Sequence, residues 1–160
     1  MKRSSTVFLQ VVVVLIGIGT LALLLWEPHL EGRNAHATTF EIYFKDSFLA
    51  YAYISSLTFF TILYQAFKSL GYVRKNNTFS EENVKALRII KYSAIIQSLL
   101  IVMAAVYIRV FHAKDDDPAG FIALCIAATF ISIVIASAGA IFERILQNAV
   151  NIKSENDLTI

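Results

Sequence analysis

Apolar residues in this chain gather into four long blocks instead of alternating with polar ones. The blocks run from Val7 to Trp26, from Phe48 to Phe67, from Tyr92 to Phe111 with a lead-in at Leu87, Ile89 and Ile90, and from Phe121 to Phe142. Each is about twenty residues long, the length that ~1.5 Å of rise per residue needs to cross a ~30 Å hydrocarbon core. The first, second and fourth blocks hold no charged side chain, and the third holds only Arg109, near its end. The pattern predicts an all-α protein, an integral membrane four-helix bundle forming a single transmembrane domain over residues 1–160. The spans fall at about 7–26, 48–67, 90–111 and 121–142, leaving segments 27–47, 68–89, 112–120 and 143–160 outside lipid.

Composition agrees, because 57% hydrophobic against 16% charged residues is an apolar excess that must face something other than water. The formal charge of +2 conceals an asymmetry. Lys2, Arg3, Lys68, Arg74, Lys75, Lys85, Arg88, Lys91, Arg144 and Lys153 fall on the side shared by both termini, against Arg33, Lys45, Arg109 and Lys114 on the other. Positive residues in short loops are retained in the cytoplasm, so both termini and segment 68–89 are expected on the cytoplasmic side of the membrane. Acidic residues lean outward, with Glu27, Glu31, Glu41, Asp46 and Asp115 to Asp117 in the outer loops. Lys2 and Arg3 before an apolar run also resemble a signal peptide, with Ala35-His36-Ala37 as its cleavage site. The run is too long for that, and the small residues lie about ten positions too far on.

Polar residues inside the blocks need partners. The second block carries Tyr51, Tyr53, Ser55, Ser56, Thr58, Thr61 and Tyr64, whose hydroxyls can bond to carbonyls one turn back or to a neighbouring helix. Gln10, Gln65 and Gln97 are expected in the cytoplasmic third of the membrane, at least two of them facing the bundle interior as glue between helices. Ala128, Ser132, Ala136 and Ala140 recur every four residues in the last block, a stripe of small side chains that permits close helix approach. Its neighbour is a helix of the same chain or, as a homo-oligomer, a second copy. Cys125 lies inside that block and reads as a small core residue. Outside lipid, Trp26-Glu27-Pro28 ends the first helix, and Phe40, Tyr43 and Phe44 suggest a short interfacial turn.

The connection between the second and third blocks reads as a helix start in its second half. Thr78 with Glu81 has capping-box spacing, Ser80 is a competing cap, and Glu81 and Glu82 suit the positive end of the helix dipole. The third helix should therefore begin about two turns before lipid, with Lys85, Arg88 and Lys91 facing headgroups. After the fourth block, residues 143–153 keep a helical apolar face and the chain ends polar.

The stretch from Asn77 to Tyr92, the four-span layout and the ending Lys153-Ser154-Glu155-Asn156-Asp157-Leu158-Thr159-Ile160 together resemble a bacterial membrane-protein family known only as domain of unknown function 2975. The resemblance covers essentially the whole chain and implies no reaction. It implies, by genetic association, a membrane partner for a small helix-turn-helix transcription factor. The residues in the two resembling motifs and beside them that would meet such a cytosolic DNA-binding regulator are Arg74, Lys75, Asn77, Phe79, Ser80, Asn83, Lys85, Arg88, Glu155, Asn156 and Asp157.

Chemistry is otherwise sparse. His29, His36, His112 and Asp115 are outer-face candidates for a metal, but no two histidines share a ligand spacing. There is no His-Glu-x-x-His, no Gly-x-Ser-x-Gly and no phosphate-cradling glycine loop, so neither catalysis nor a cofactor is expected, and no direct contact with nucleic acid. Arg109 is expected to pair with, or snorkel toward, Asp115 to Asp117. An oligomeric transporter is an alternative, although no charge lies in mid-membrane to couple it. Immunity to a cationic membrane-active peptide, attracted by the anionic outer face, is another.

Overall fold

A computed structural model describes residues 3–26, 38, 47–111 and 118–157. Its four helices are α1 (Arg3–Trp26), α2 (Ser47–Arg74), α3 (Glu81–Phe111) and α4 (Ala119–Asp157). All four are long and apolar enough to cross a membrane. The interfacial turn expected around Phe40 to Phe44 lies outside the described residues.

The helices overrun the apolar blocks, all at one end of the bundle. α2 continues to Arg74, α3 begins at Glu81, as the helix start expected near Ser80 requires, and α4 continues to Asp157, so that segment 68–89 is helical except for residues 75–80. An apolar run marks where lipid stops, whereas helical hydrogen bonding continues through Lys, Glu, Arg and Gln, which are good helix formers. α4, at 39 residues, is about 58 Å long, nearly twice the ~30 Å of hydrocarbon. This end also holds the start of α1 and, with Lys68, Arg74, Lys75, Lys85, Arg88, Lys91, Arg144 and Lys153, is the basic end of the bundle.

Consecutive helices pack as antiparallel neighbours, α1 on α2, α2 on α3 and α3 on α4. The α2–α3 turn explains how two long helices reverse direction in six residues. The Asn77 amide donates to the Tyr72 carbonyl (2.9 Å) and the Asn76 amide to the Val73 carbonyl (3.2 Å), while Asn76 takes a φ of 56°. That is a left-handed helix stop, and asparagine is the non-glycine residue best able to adopt it. Ser80 then caps α3, its hydroxyl accepting from the Asn83 amide (3.3 Å), so Ser80 takes the cap position and Thr78 does not. Asn83 is 1% exposed; its side chain donates to the Thr78 carbonyl (2.8 Å) and accepts from the Ser69 hydroxyl (2.7 Å), tying the turn to α2.

The core is small and sits where α2, α3 and α4 meet, with Ile62, Ile90, Ala94 and Ala136 at its centre and Ala66, Leu87 and Ile135 around them. Small residues line both sides of the α3–α4 contact. Ala86, Ser93 and Ala94 are buried on α3, and Ser132 and Ala136 on α4. The stripe inferred from sequence thus faces a helix of the same chain, with Ala128 and Ala140 half-buried at its ends. Gly139 also meets α3, because a strict four-residue row drifts around a helix of 3.6 residues per turn. A Cβ at Gly139 would lie 3.4 Å from the backbone nitrogen of Lys91 and 3.5 Å from its Cα.

Gly139→Ala should therefore be tolerated with a cost below about 1 kcal/mol, while Gly139→Leu should force the helices apart at about 1–3 kcal/mol. Unfolding in mixed detergent micelles, followed by circular dichroism, would separate the two; equal stability would mean that the backbones are not in contact there.

Candidate functional site

At the basic end α3 and α4 are joined by charge. Arg88 and Lys91, three residues apart, share one face of α3. Arg88 Nε donates to Glu143 Oε1 at 2.7 Å and Lys91 Nζ to Glu143 Oε2 at 2.6 Å. The Glu143 side chain is 12% exposed, that of Lys91 21% and that of Arg88 50%. Burial pushes the Glu143 carboxyl up, but the two cations outweigh it and hold the group below the usual carboxylate range. Lys91 also lies 4.6 Å from the centroid of the Tyr92 ring. One turn on, Gln147 donates to Glu81 (3.2 Å) and to Asn151 (3.1 Å), carrying the contact to the first residue of α3.

This revises the basic collar expected from sequence. Arg88 and Lys91 turn onto a glutamate within the chain, and of the three cations Lys85 is exposed without a bond to another described element. Glu143 was missed as a partner, although as the single acidic residue directly after the last apolar block it carried a signal. Its register against α3 was not readable.

The residues proposed to meet a partner separate into two groups. Arg74, Lys75, Asn77, Phe79 and Lys85 are exposed on or beside the α2–α3 turn, and Phe79 keeps 53% of its surface open. Ser80 and Asn83 are spent on the cap and the lock, so they shape the turn and Asn83 offers no surface. Glu155 and Asn156 are exposed in the last turn of α4, whereas the Asp157 side chain lies outside the described residues. Because Gln147 is already level with the start of α3, residues 148–157 continue about 15 Å beyond it. Ile152 is exposed along that length.

Inside the apolar region polar groups pair between helices. Gln10, buried on α1, donates to the Phe67 carbonyl (3.2 Å), and Tyr53 donates to the Leu24 carbonyl (2.8 Å). Gln97 on α3 accepts from Thr58 and donates to Ser55 (3.3 Å), and Tyr51 donates to the Leu100 carbonyl (2.6 Å). Two of the three glutamines thus face the interior, as expected, with Gln65 half-buried. Gln97 sits level with the middle of the second block rather than in the cytoplasmic third, because α3 begins well before its own apolar block.

Gln97 and Ser55 line a cleft of about 320 Å³ to which all four helices contribute. Phe48 also lines it, stacked on Tyr107 (6.1 Å between centroids) and edge-on to Phe121 (5.8 Å). No Asp, Glu, Lys, Arg or His lines it. The arrangement can hold apolar groups and offers no proton donor or acceptor with a pKa near neutrality.

Among the described residues no group of three or more His, Cys, Asp or Glu gathers as a metal site. The outer candidates His29, His36, His112 and Asp115 lie outside them.

The family described as "Protein of unknown function (DUF2975)" matches residues 29–160. "Uncharacterized membrane protein YoaS" of Bacillus subtilis (strain 168) is 39% identical over 161 residues, covering 100% of both chains. No solved structure matches the chain.

Two outcomes follow from the charge cluster and the amide. Glu143→Gln should destabilise the α3–α4 pair by about 1–2 kcal/mol, less than the ~3–5 kcal/mol of a fully buried pair because Arg88 is half in solvent. Since the folded carboxyl titrates below its unfolded value of about 4.3, its contribution is complete above that pH and is lost as pH falls through the lower folded value. Acid unfolding of the native chain should therefore include a step below about pH 4 that the glutamine variant lacks; identical acid profiles would contradict the clamp. Gln97→Leu should cost about 0.6–2 kcal/mol in the same micelle assay, and no loss would mean that its bonds to Ser55 and Thr58 contribute nothing.

Proposed function

Because the chain belongs to this family of membrane proteins of unknown function, we propose that it is a non-enzymatic regulatory component of the bacterial cytoplasmic membrane that holds or releases a cytosolic helix-turn-helix transcription factor. The basic end then faces the cytoplasm, consistent with the excess of lysine and arginine there.

The observation that carries this reading is Phe79. It is a large aromatic side chain more than half exposed on a turn that lies beyond the apolar blocks. The turn is stiff, fixed by the stop at Asn76, the Ser80 cap and the Asn83 lock. Exposed aromatics on rigid supports, flanked here by Arg74, Lys75 and Lys85, make good anchors for a protein partner because little side-chain order is lost on binding. The projecting end of α4 adds a second element at the same end. A helix-turn-helix protein is the partner that the family resemblance suggests. The alternatives draw less support, since transport needs a polar pathway and the internal cleft is apolar with the Gln97 amide engaged by Ser55 and Thr58. Immunity to a peptide would act through residues 115–117, outside the described residues.

Photocrosslinking side chains placed singly at Phe79, Lys85 and Asn156 in intact cells test the proposal. Capture of a small DNA-binding protein, lost on Phe79→Ala, is the expected result. Capture of lipid or a second copy alone would sink it.

A further inference from the structure

At the end opposite the clamp α3 and α4 are not sealed against each other. A groove of about 610 Å³ opens there, lined by α3 and α4 alone. It extends from Val102 to Val110 on α3 and from Ile122 to Ile133 on α4. At ~1.5 Å per residue that is about 12–17 Å, close to half of a ~30 Å hydrocarbon core and so the depth of one leaflet. Val106, Ile126 and Phe130 leave more than half of their surface open along it.

One lining residue breaks the apolar character. Arg109, in the last turn of α3, stands at the membrane-surface end of the groove. Arg88 and Lys91 are neutralised by Glu143, but Arg109 has no acidic partner among the described residues. A long basic side chain near a helix end reaches for the headgroup layer, and the planar guanidinium matches the two free oxygens of a phosphodiester.

We propose that the α3–α4 groove binds one anionic phospholipid, with an acyl chain along Val106, Ile126 and Phe130 and the phosphate on Arg109. Shape and charge select this occupant together. An apolar helix of a second copy would fill the walls but bring no anion to the guanidinium, and a free phosphate would leave the groove empty. The site is at the other end of the bundle from the proposed partner surface and stands or falls independently of it.

The test uses the full chain in vesicles of equal phosphatidylglycerol and phosphatidylcholine with the same acyl chains, extracted in mild detergent and weighed by native mass spectrometry. The native chain should retain one more phosphatidylglycerol than Arg109→Gln, while phosphatidylcholine stays at the same low level in both. Ala105→Phe, which narrows the groove and keeps the arginine, should also lose that lipid. Losing charge-assisted hydrogen bonds to the phosphate should weaken retention about tenfold. Lipid held by the cations of the basic end is common to all three proteins and cancels. Equal phosphatidylglycerol on native chain and Arg109→Gln would overturn the proposal. So would equal retention of the two lipids by the native chain, a reading that needs no variant to fold, or a dimer mass in place of the lipid adduct.

Discussion

Within a bilayer an apolar helix face gains little by leaving lipid for another helix, because lipid tails are as apolar as leucine. Association must come from close backbone approach and from polar bonds that lipid cannot supply. In this chain both occur at one place, where Gly139 lets α4 come within a van der Waals contact of the Lys91 backbone and Glu143, one turn on, holds Lys91 and Arg88. The order of the other elements follows from that seam. α2 closes on α3 through the Ile62, Ile90 and Ala94 cluster and the Asn83 lock, and α1 adds to α2 through Gln10.

The bundle is consequently uneven along its length. At the basic end the residues are small or charged, contacts are tight, and Val84, Asn83 and Thr6 are the largest fully buried side chains. Toward the other end burial falls away, and α3 buries no residue beyond Ala94. Space remains there both inside, in the cleft beside Gln97, and outside, in the groove below Arg109. The seam is tight at one end and open at the other. The proposed function and the proposed lipid site draw on these two halves separately.

Charge follows the same division. Arg88 and Lys91 looked like headgroup ligands because in sequence a cation beside a span has lipid as its nearest anion. The fold supplies a nearer one. Arg109 meets no acid on the described part of α4, and its expected carboxylates at 115–117 lie outside the described residues. Between otherwise similar residues, the difference is whether the neighbouring helix presents an acid at the matching level.

Sequence alone determined the four spans, the all-α class and the small-residue face of α4, and it pointed to a helix start near Ser80, because hydrophobic length, residue size and capping chemistry are local properties. It also determined that Gln10 and Gln97 would seek partners, since an amide in hydrocarbon must. Which partners they found, that Asn83 is a lock rather than a surface residue, and that Glu143 gathers two cations from α3 were decided by tertiary structure. Those facts depend on the register between helices far apart in the chain. Register is fixed by the summed fit of many small contacts along a pair of helices, and no single stretch of sequence contains that sum.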